Sequence, residues 1–91
     1  MQTTILDYRI IIEPEEHKGK TVYTAFCPAL GVADWGQTIE ASKQHIQEAI
    51  QCQIESMIKQ KSPIPPADSP EFTITMASVT LPKDVRHLAF A

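Results

Sequence analysis

The sequence has little of several features that would each indicate a class of protein. Its 91 residues include only two cysteines, Cys27 and Cys52, so a disulfide framework like that of small secreted domains is excluded and free thiols are expected. No apolar run approaches the roughly 18 residues of a membrane-spanning helix. The N-terminus has no basic leader followed by an apolar core, which argues against a secretory signal. These absences predict a soluble, cytoplasmic protein.

Basic residues are also scarce. Eight Lys and Arg residues against eleven Asp and Glu residues give a formal net charge of -3. Nucleic-acid binding usually requires a clustered positive surface, so it is not expected here. The acidic balance instead suits attraction to a basic protein partner. The length favours one domain with a modest core.

What the sequence does contain is an orderly change in the period of its apolar residues. Alternation over residues 6–13 predicts a first strand, which Pro14 is expected to end because proline cannot donate to a β-ladder. The polar residues 15–19 are then expected to form a turn. Alternation resumes over residues 21–27, which predicts a hairpin partner, and residues 32–35 are a short third strand between two glycines.

The following segment has the pattern of an amphipathic helix. Thr38 is a suitable N-cap, and Ser62-Pro63 is expected to stop the helix because proline disfavours helical geometry in the preceding residue. The apolar residues recur at spacings of mostly three and four, which places them on one side. They are Ile39, Ile46, Ala49, Ile50, Ile54, Met57 and Ile58.

A proline-rich connector over residues 63–70 leads to another alternating segment. Residues 72–77 alternate apolar with polar or small side chains, which predicts a fourth strand with a bulge near Ser78. The predicted order is β-β-β-α-β. This order is typical of an α+β domain in which one helix covers one face of a small four-stranded sheet.

Four motifs, in this order, resemble the HicB-like antitoxin family. They are "DYRIIIEPEE", "YTAFCPALGV", "GQTIEAS" leading into "IQEAIQCQIES", and "SPIPP". The resemblance covers residues 5–81 and leaves 82–91 as a C-terminal tail. It implies a truncated RNase-H-like sheet of strand order 3-2-1-4, and a role in binding and silencing a small RNA-cleaving toxin called HicA. It implies no catalysis, and the chain ends before the DNA-binding module that paired members of the family carry.

A metal-dependent nuclease is the first catalytic alternative. It needs several carboxylates that converge on a phosphate, and the candidates are Asp7, Glu48 and Asp84. On a helix, Glu48 lies nearly opposite the apolar stripe and so points away from the sheet that carries Asp7. These three residues are therefore interpreted as surface acids.

A zinc site or a Cys-His catalytic pair would have to use His45, Cys27 and Cys52. These residues lack the close Cys-x-x-Cys or His-x-x-x-His spacing of a recognisable metal site. Cys27 is expected to be a small apolar residue within the sheet, and the other two are expected to be surface groups of the helix. No catalytic, cofactor or metal site is therefore predicted.

The partner-binding prediction rests on Trp35. An aromatic residue in a short edge strand could be an interface anchor, and it could equally cap the core. The predicted contact surface is the edge of the third strand with the face that carries Tyr23, Asp34 and Trp35. The function that follows is an antitoxin-like interaction domain that occludes a small basic toxin of the HicA type.

The alternative function is a stand-alone regulatory or structural homo-oligomer without a toxin. On the helix, the apolar positions from Ala49 to Ile58 span more than the roughly 100° stripe that covers a sheet. Part of this surface is expected to be covered by another copy of the chain. A homodimer or a homotetramer is therefore expected with either function.

Overall fold

The computed structural model describes residues 3–83, which form three antiparallel strands followed by one helix. The strands are β1 (Ile11–His17), β2 (Lys20–Cys27) and β3 (Val32–Gly36), and the helix is α1 (Ile39–Gln60). The sheet order is β1-β2-β3, and α1 packs against one face of the sheet. This architecture is compatible with the predicted α+β class.

A two-residue turn joins the first two strands. His17 pairs with Lys20, so only Lys18 and Gly19 lie between the strands. Their φ angles are +50° and +79°, which is the left-handed geometry that a type I′ hairpin turn requires at both positions. The twist of this turn matches the twist of the strands, so β1 and β2 pair along their whole length.

The prediction that Pro14 ends the first strand is wrong. β1 starts at Ile11, later than the alternation indicated, and continues through Pro14, which lies opposite Tyr23. Because hydrogen-bonded and non-hydrogen-bonded pairs alternate from the closing pair of the hairpin, Pro14 falls on a non-hydrogen-bonded pair. Its nitrogen faces the outer edge of β1, so the proline removes no bond to β2.

The predicted four-stranded sheet of order 3-2-1-4 is also wrong. No strand follows α1 within residues 3–83, and the proposed bulge near Ser78 therefore has no strand to interrupt. One backbone hydrogen bond joins the connector to the N-terminal segment: the Asp68 N–H donates to the Asp7 carbonyl at 2.9 Å. Pro14 removes one backbone donor from the edge along which a fourth strand would have paired, which weakens that ladder at its centre.

The predicted start of the helix is confirmed. The Thr38 side chain accepts a hydrogen bond from the Ala41 N–H at 3.0 Å, which satisfies one of the free amides of the first turn. Glu40 places a negative charge in the same turn, where the helix dipole favours it. The cap fixes the direction in which α1 leaves β3.

The core lies between α1 and the sheet, and it is small. Ala25, Cys27 and Ile46 are the fully buried apolar residues of the described chain, and Ser42 is buried beside them with its hydroxyl donating to the Ile39 carbonyl at 2.7 Å. The burial of Cys27 confirms its predicted place in the sheet. Partly buried apolar residues surround this centre: Tyr8, Ile10, Ile12, Ala29, Leu30, Val32 and Ile50.

The chain is longer in one dimension than a compact domain. Its radius of gyration is 18.0 Å and its longest axis is 64 Å, whereas a compact chain of this length has a radius of about 12 Å. Residues 71–83 are all exposed. The predicted tail, 82–91, lies outside the described residues from position 84 onward.

Candidate functional site

The face of the sheet opposite α1 is the candidate site. Side chains alternate between the two faces of a strand, and cross-strand pairing places alternate residues of all three strands on this side. We call this surface the open face, and its residues are Ile11, Glu13, Glu15, Val22, Thr24, Phe26, Ala33 and Trp35. Its large apolar side chains remain exposed, in contrast to the buried Ala25 and Cys27 on the other side of β2.

Trp35 is the largest side chain of the open face. It is 55% exposed and lines a shallow hollow of about 370 Å³ that runs across the sheet toward the hairpin end. Val22, Thr24 and Ala33 form the floor of this hollow. An aromatic side chain beside an open apolar hollow is the kind of feature on which protein interfaces depend.

Two carboxylates lie beside this apolar surface. Glu15 accepts a hydrogen bond from the Thr24 hydroxyl at 2.7 Å, which holds its side chain against the sheet. Glu13 is the next residue of β1 on the same face and pairs with Thr24 across the strands. The open face therefore presents aromatic and acidic groups together, which suits a partner whose surface is basic and apolar.

The outer edge of β3 is occupied by side chains. The Trp35 N–H donates to Asp34 Oδ1 at 2.8 Å, and His45 Nδ1 of the helix lies 2.7 Å from the Trp35 carbonyl oxygen. These backbone groups would otherwise be free to pair with an added strand. The geometry leaves the open face available to a partner and engages the backbone of the edge at Trp35.

The structure separates the residues that the sequence placed in one contact surface. Cross-strand pairing puts Tyr23 and Asp34 on the side of the sheet that faces α1, whereas Trp35 belongs to the open face. Asp34 nevertheless lines the hollow beside Trp35. Sequence reasoning missed Phe26 and Ile11, although their alternation with buried neighbours was a signal that could have identified them.

Among the described residues, the candidate zinc ligands lie in different surroundings. Cys27 is in the core and Cys52 is exposed on the helix, while His45 is engaged with the backbone of β3. Within residues 3–83 no three side chains of His, Cys, Asp or Glu are grouped as a metal site would require. Asp84, one of the three carboxylates considered for a nuclease, lies outside this range.

A second set of contacts joins the N-terminal segment to the connector after α1. The Tyr8 hydroxyl donates to the Pro65 carbonyl at 2.6 Å, and the Arg9 N–H donates to Asp68 Oδ2 at 2.6 Å. The Arg9 guanidinium lies 4.7 Å from the centroid of the Phe72 ring, a cation–π contact. Burial raises the pKa of Tyr8, and electrostatic interactions with Cys27 and Asp68 raise it further.

The helix of the described chain does not combine the length and the apolar character that crossing a bilayer requires. Neither family models nor solved structures give a match to this sequence. A curated relative, the UPF0150 protein ssr1765 of Synechocystis sp., is 42% identical over 65 residues. The alignment covers 70% of this chain and 78% of the relative. At this identity and coverage, the chain belongs to the UPF0150 family.

Proposed function

We propose that the protein is a HicB-like antitoxin domain that binds a small, basic, RNA-cleaving toxin of the HicA type and covers its catalytic surface. The observation that carries the proposal is the open face, which presents an exposed Trp35 together with the carboxylates of Glu13 and Glu15. The four sequence motifs and membership of the UPF0150 family support the same function. The proposal assigns no catalytic step to this chain.

The chemistry of the open face fits this role. A protein that cleaves RNA needs a positive surface to hold the phosphate backbone. An acidic face attracts that surface and competes with RNA for it. Trp35 and Phe26 provide the apolar contact that gives such a complex a long lifetime, since aromatic side chains carry much of the energy of protein interfaces.

The proposal predicts that Trp35→Ala weakens toxin binding. Hot-spot aromatic residues contribute about 2 kcal/mol or more, so the dissociation constant should rise roughly 30-fold. Tagged protein is used to recover partners from its native cells, and a small basic protein identified by mass spectrometry is then purified. Binding is measured by calorimetry, and inhibition is measured as protection of an RNA substrate from cleavage.

The matched control is Ile39→Ala. Ile39 is a large apolar residue of similar exposure, 52%, but it lies in the first turn of α1 rather than on the open face. This variant should bind and inhibit like the wild type. Equal binding by both variants would refute the proposed contact. A recovered partner that does not cleave RNA, or whose cleavage the wild type leaves unchanged, would refute the function.

A second function, a stand-alone homo-oligomer without a toxin, is favoured by another observation. The large apolar side chains of residues 72–81, which follow α1 and the connector in the sequence, are exposed. Such a row is typical of a surface that another molecule covers. Recovery of only the protein itself from native cells would favour this second function.

A further inference from the structure

We propose that residues 72–81 of one copy cover the open face of a second copy, and that the arrangement is reciprocal in a two-fold symmetric dimer. We call residues 72–81 the donor segment. This inference concerns the protein alone and holds whether or not a toxin exists.

The donor segment has the pattern of a strand that lacks its packing surface. Its apolar residues alternate at Phe72, Ile74 and Met76 and continue at Val79 and Leu81. Ile74 is 69% exposed and Met76 is 94% exposed. The segment contains no charged residue. Its apolar side chains are therefore exposed to water without neighbouring charges that would favour solvation of the segment. A contiguous apolar row of this kind marks a surface for association.

The open face has the matching shape and length. The ten residues of the donor segment span about 33 Å when extended, and the eight residues of β2 span about 27 Å. The segment is therefore long enough to lie along the sheet. One side of an extended strand would place Ile74 and Met76 against Phe26 and Trp35, and the opposite side, with Thr73 and Thr75, would face water.

The same copy is a poor acceptor for its own donor segment. The segment starts at Phe72, which the cation–π contact with Arg9 holds beside the N-terminal segment. Covering its own open face would require the chain to reverse after this point. Residues 71–81 contain no Gly, Pro, Asn or Asp, and Ser78 is the one residue in this range of a type that favours tight turns. Residues 72–81 are all exposed, and none of them packs on the core of its own copy.

A second copy can cover the donor segment and the open face at the same time. The protein exposes 8228 Å², whereas a compact monomer of this mass exposes about 5,300 Å². A standard interface removes about 800 Å² from each partner, so the excess is large enough to supply one. In a two-fold dimer each donor segment meets the other copy's open face, and the contact closes without further growth. Pro14 on the edge of β1 and the engaged backbone of Trp35 on the edge of β3 favour this face over the strand edges.

The experiment compares two double variants of the donor segment. Ile74→Glu with Met76→Glu places charges on the apolar side, and Thr73→Glu with Thr75→Glu places the same number of charges on the other side. Molar mass is measured by light scattering on the purified full chain. Wild type and the threonine variant should be twice the 10.2 kDa of one chain, and the apolar variant should be monomeric.

The tryptophan gives an independent signal from the acceptor surface. Trp35 is the only tryptophan of the chain, so its fluorescence reports the open face directly. Emission should lie at shorter wavelength in the dimer and shift to longer wavelength in the apolar variant. Circular dichroism of each variant establishes that α1 remains folded.

A mixing experiment distinguishes this dimer from one in which two donor segments pair with each other. Phe26→Glu alters the open face and leaves the donor segment intact, so this variant should also be monomeric. Mixed with the Ile74→Glu, Met76→Glu variant, it should form a heterodimer through the one remaining intact contact. A monomeric wild type, a dimeric Phe26→Glu variant, or equal dissociation of both double variants would overturn the proposal.

Discussion

Gly36 shows at the residue scale how closely β3 approaches α1. A Cβ added at this position would lie 2.5 Å from the Ser42 nitrogen and 2.8 Å from the Ala41 carbonyl carbon. Both are backbone atoms of the first helical turn, so they cannot move aside as a flexible side chain would. The hydrogen of glycine therefore allows the sheet and the helix N-terminus to pack together.

We expect Gly36→Ala to lower the free energy of unfolding by about 1 to 3 kcal/mol, the usual cost of inserting a methyl group into a packed site. The measurement is urea denaturation followed by circular dichroism. Gln37→Ala, at the exposed position next to Gly36, should change stability by less than about 0.5 kcal/mol. An equal effect of the two substitutions would show that the close approach of α1 does not restrict the side chain at position 36.

A second residue-scale prediction concerns Tyr8 and alkaline pH. Burial raises its pKa above the ordinary 10.0, with smaller contributions from Cys27 and Asp68, so the folded state keeps the phenol neutral where the unfolded state ionises it. Its contribution is complete below about pH 10 and is lost as pH rises through the folded-state pKa. Stability should therefore fall above pH 10 more steeply in wild type than in Tyr8→Phe.

Urea denaturation of both proteins between about pH 9 and pH 11 measures this difference. Tyr23→Phe is the matched control, because it removes the other tyrosine and leaves the Tyr8 hydrogen bond to Pro65 in place. It should keep the steeper fall of the wild type. Identical pH dependence of wild type and Tyr8→Phe would contradict the assignment.

At the scale of elements, the carboxyl end of α1 carries strain that can be removed. Lys61 has φ +57°, in the left-handed region that disfavours residues with a Cβ. Its N–H donates to the Ile58 carbonyl and the Ser62 N–H donates to the Met57 carbonyl, the paired bonds of a Schellman motif. Glycine is the residue best suited to this position.

Lys61→Gly is therefore expected to stabilise the protein by about 1 kcal/mol. Thermal or urea unfolding measures the change. Lys59→Gly, in the last helical turn, is the comparison: it removes the same type of side chain but should destabilise by up to about 1 kcal/mol, because glycine is unfavourable within a helix. Destabilisation by both substitutions would contradict the left-handed cap.

The strands show where alternation alone was insufficient. The pattern of residues 6–13 continues the apolar face of β1, but the ladder with β2 begins only at Ile11. Pro14 was expected to end the strand because proline cannot donate to a β-ladder. The sequence does not show that the Pro14 nitrogen faces the outer edge of the sheet, where no donor is needed. Residues 72–77 alternate as clearly as β2 does, yet they have no neighbouring strand within the described chain.

At the scale of the whole molecule, one helix covers one face of a three-stranded sheet and leaves the other face open. The two proposals assign partners to this same surface. Binding of a basic toxin and binding of a second copy's donor segment would therefore exclude each other. In that case toxin affinity would depend on protein concentration, since self-association would reduce the available open face.

The sequence by itself determined the elements whose signals are local. Four features depend on residues that are close along the chain: the Thr38 cap, the period of α1, the hairpin partner β2 and the short β3. The type of each was predicted correctly. Helical hydrogen bonds join residues four apart, so a helix can be read from a short window. The candidate site was predicted only in part, through Trp35.

Tertiary structure alone decided the rest. Pairing between distant segments decides which face of the sheet carries Trp35 and which carries Tyr23 and Asp34. It also decides whether residues 72–77 join the sheet. A strand is stabilised by partners far away in the sequence, and a shift of one residue in register moves every side chain to the other face. Alternation marks a segment that can form a strand, and only the folded chain determines its neighbour.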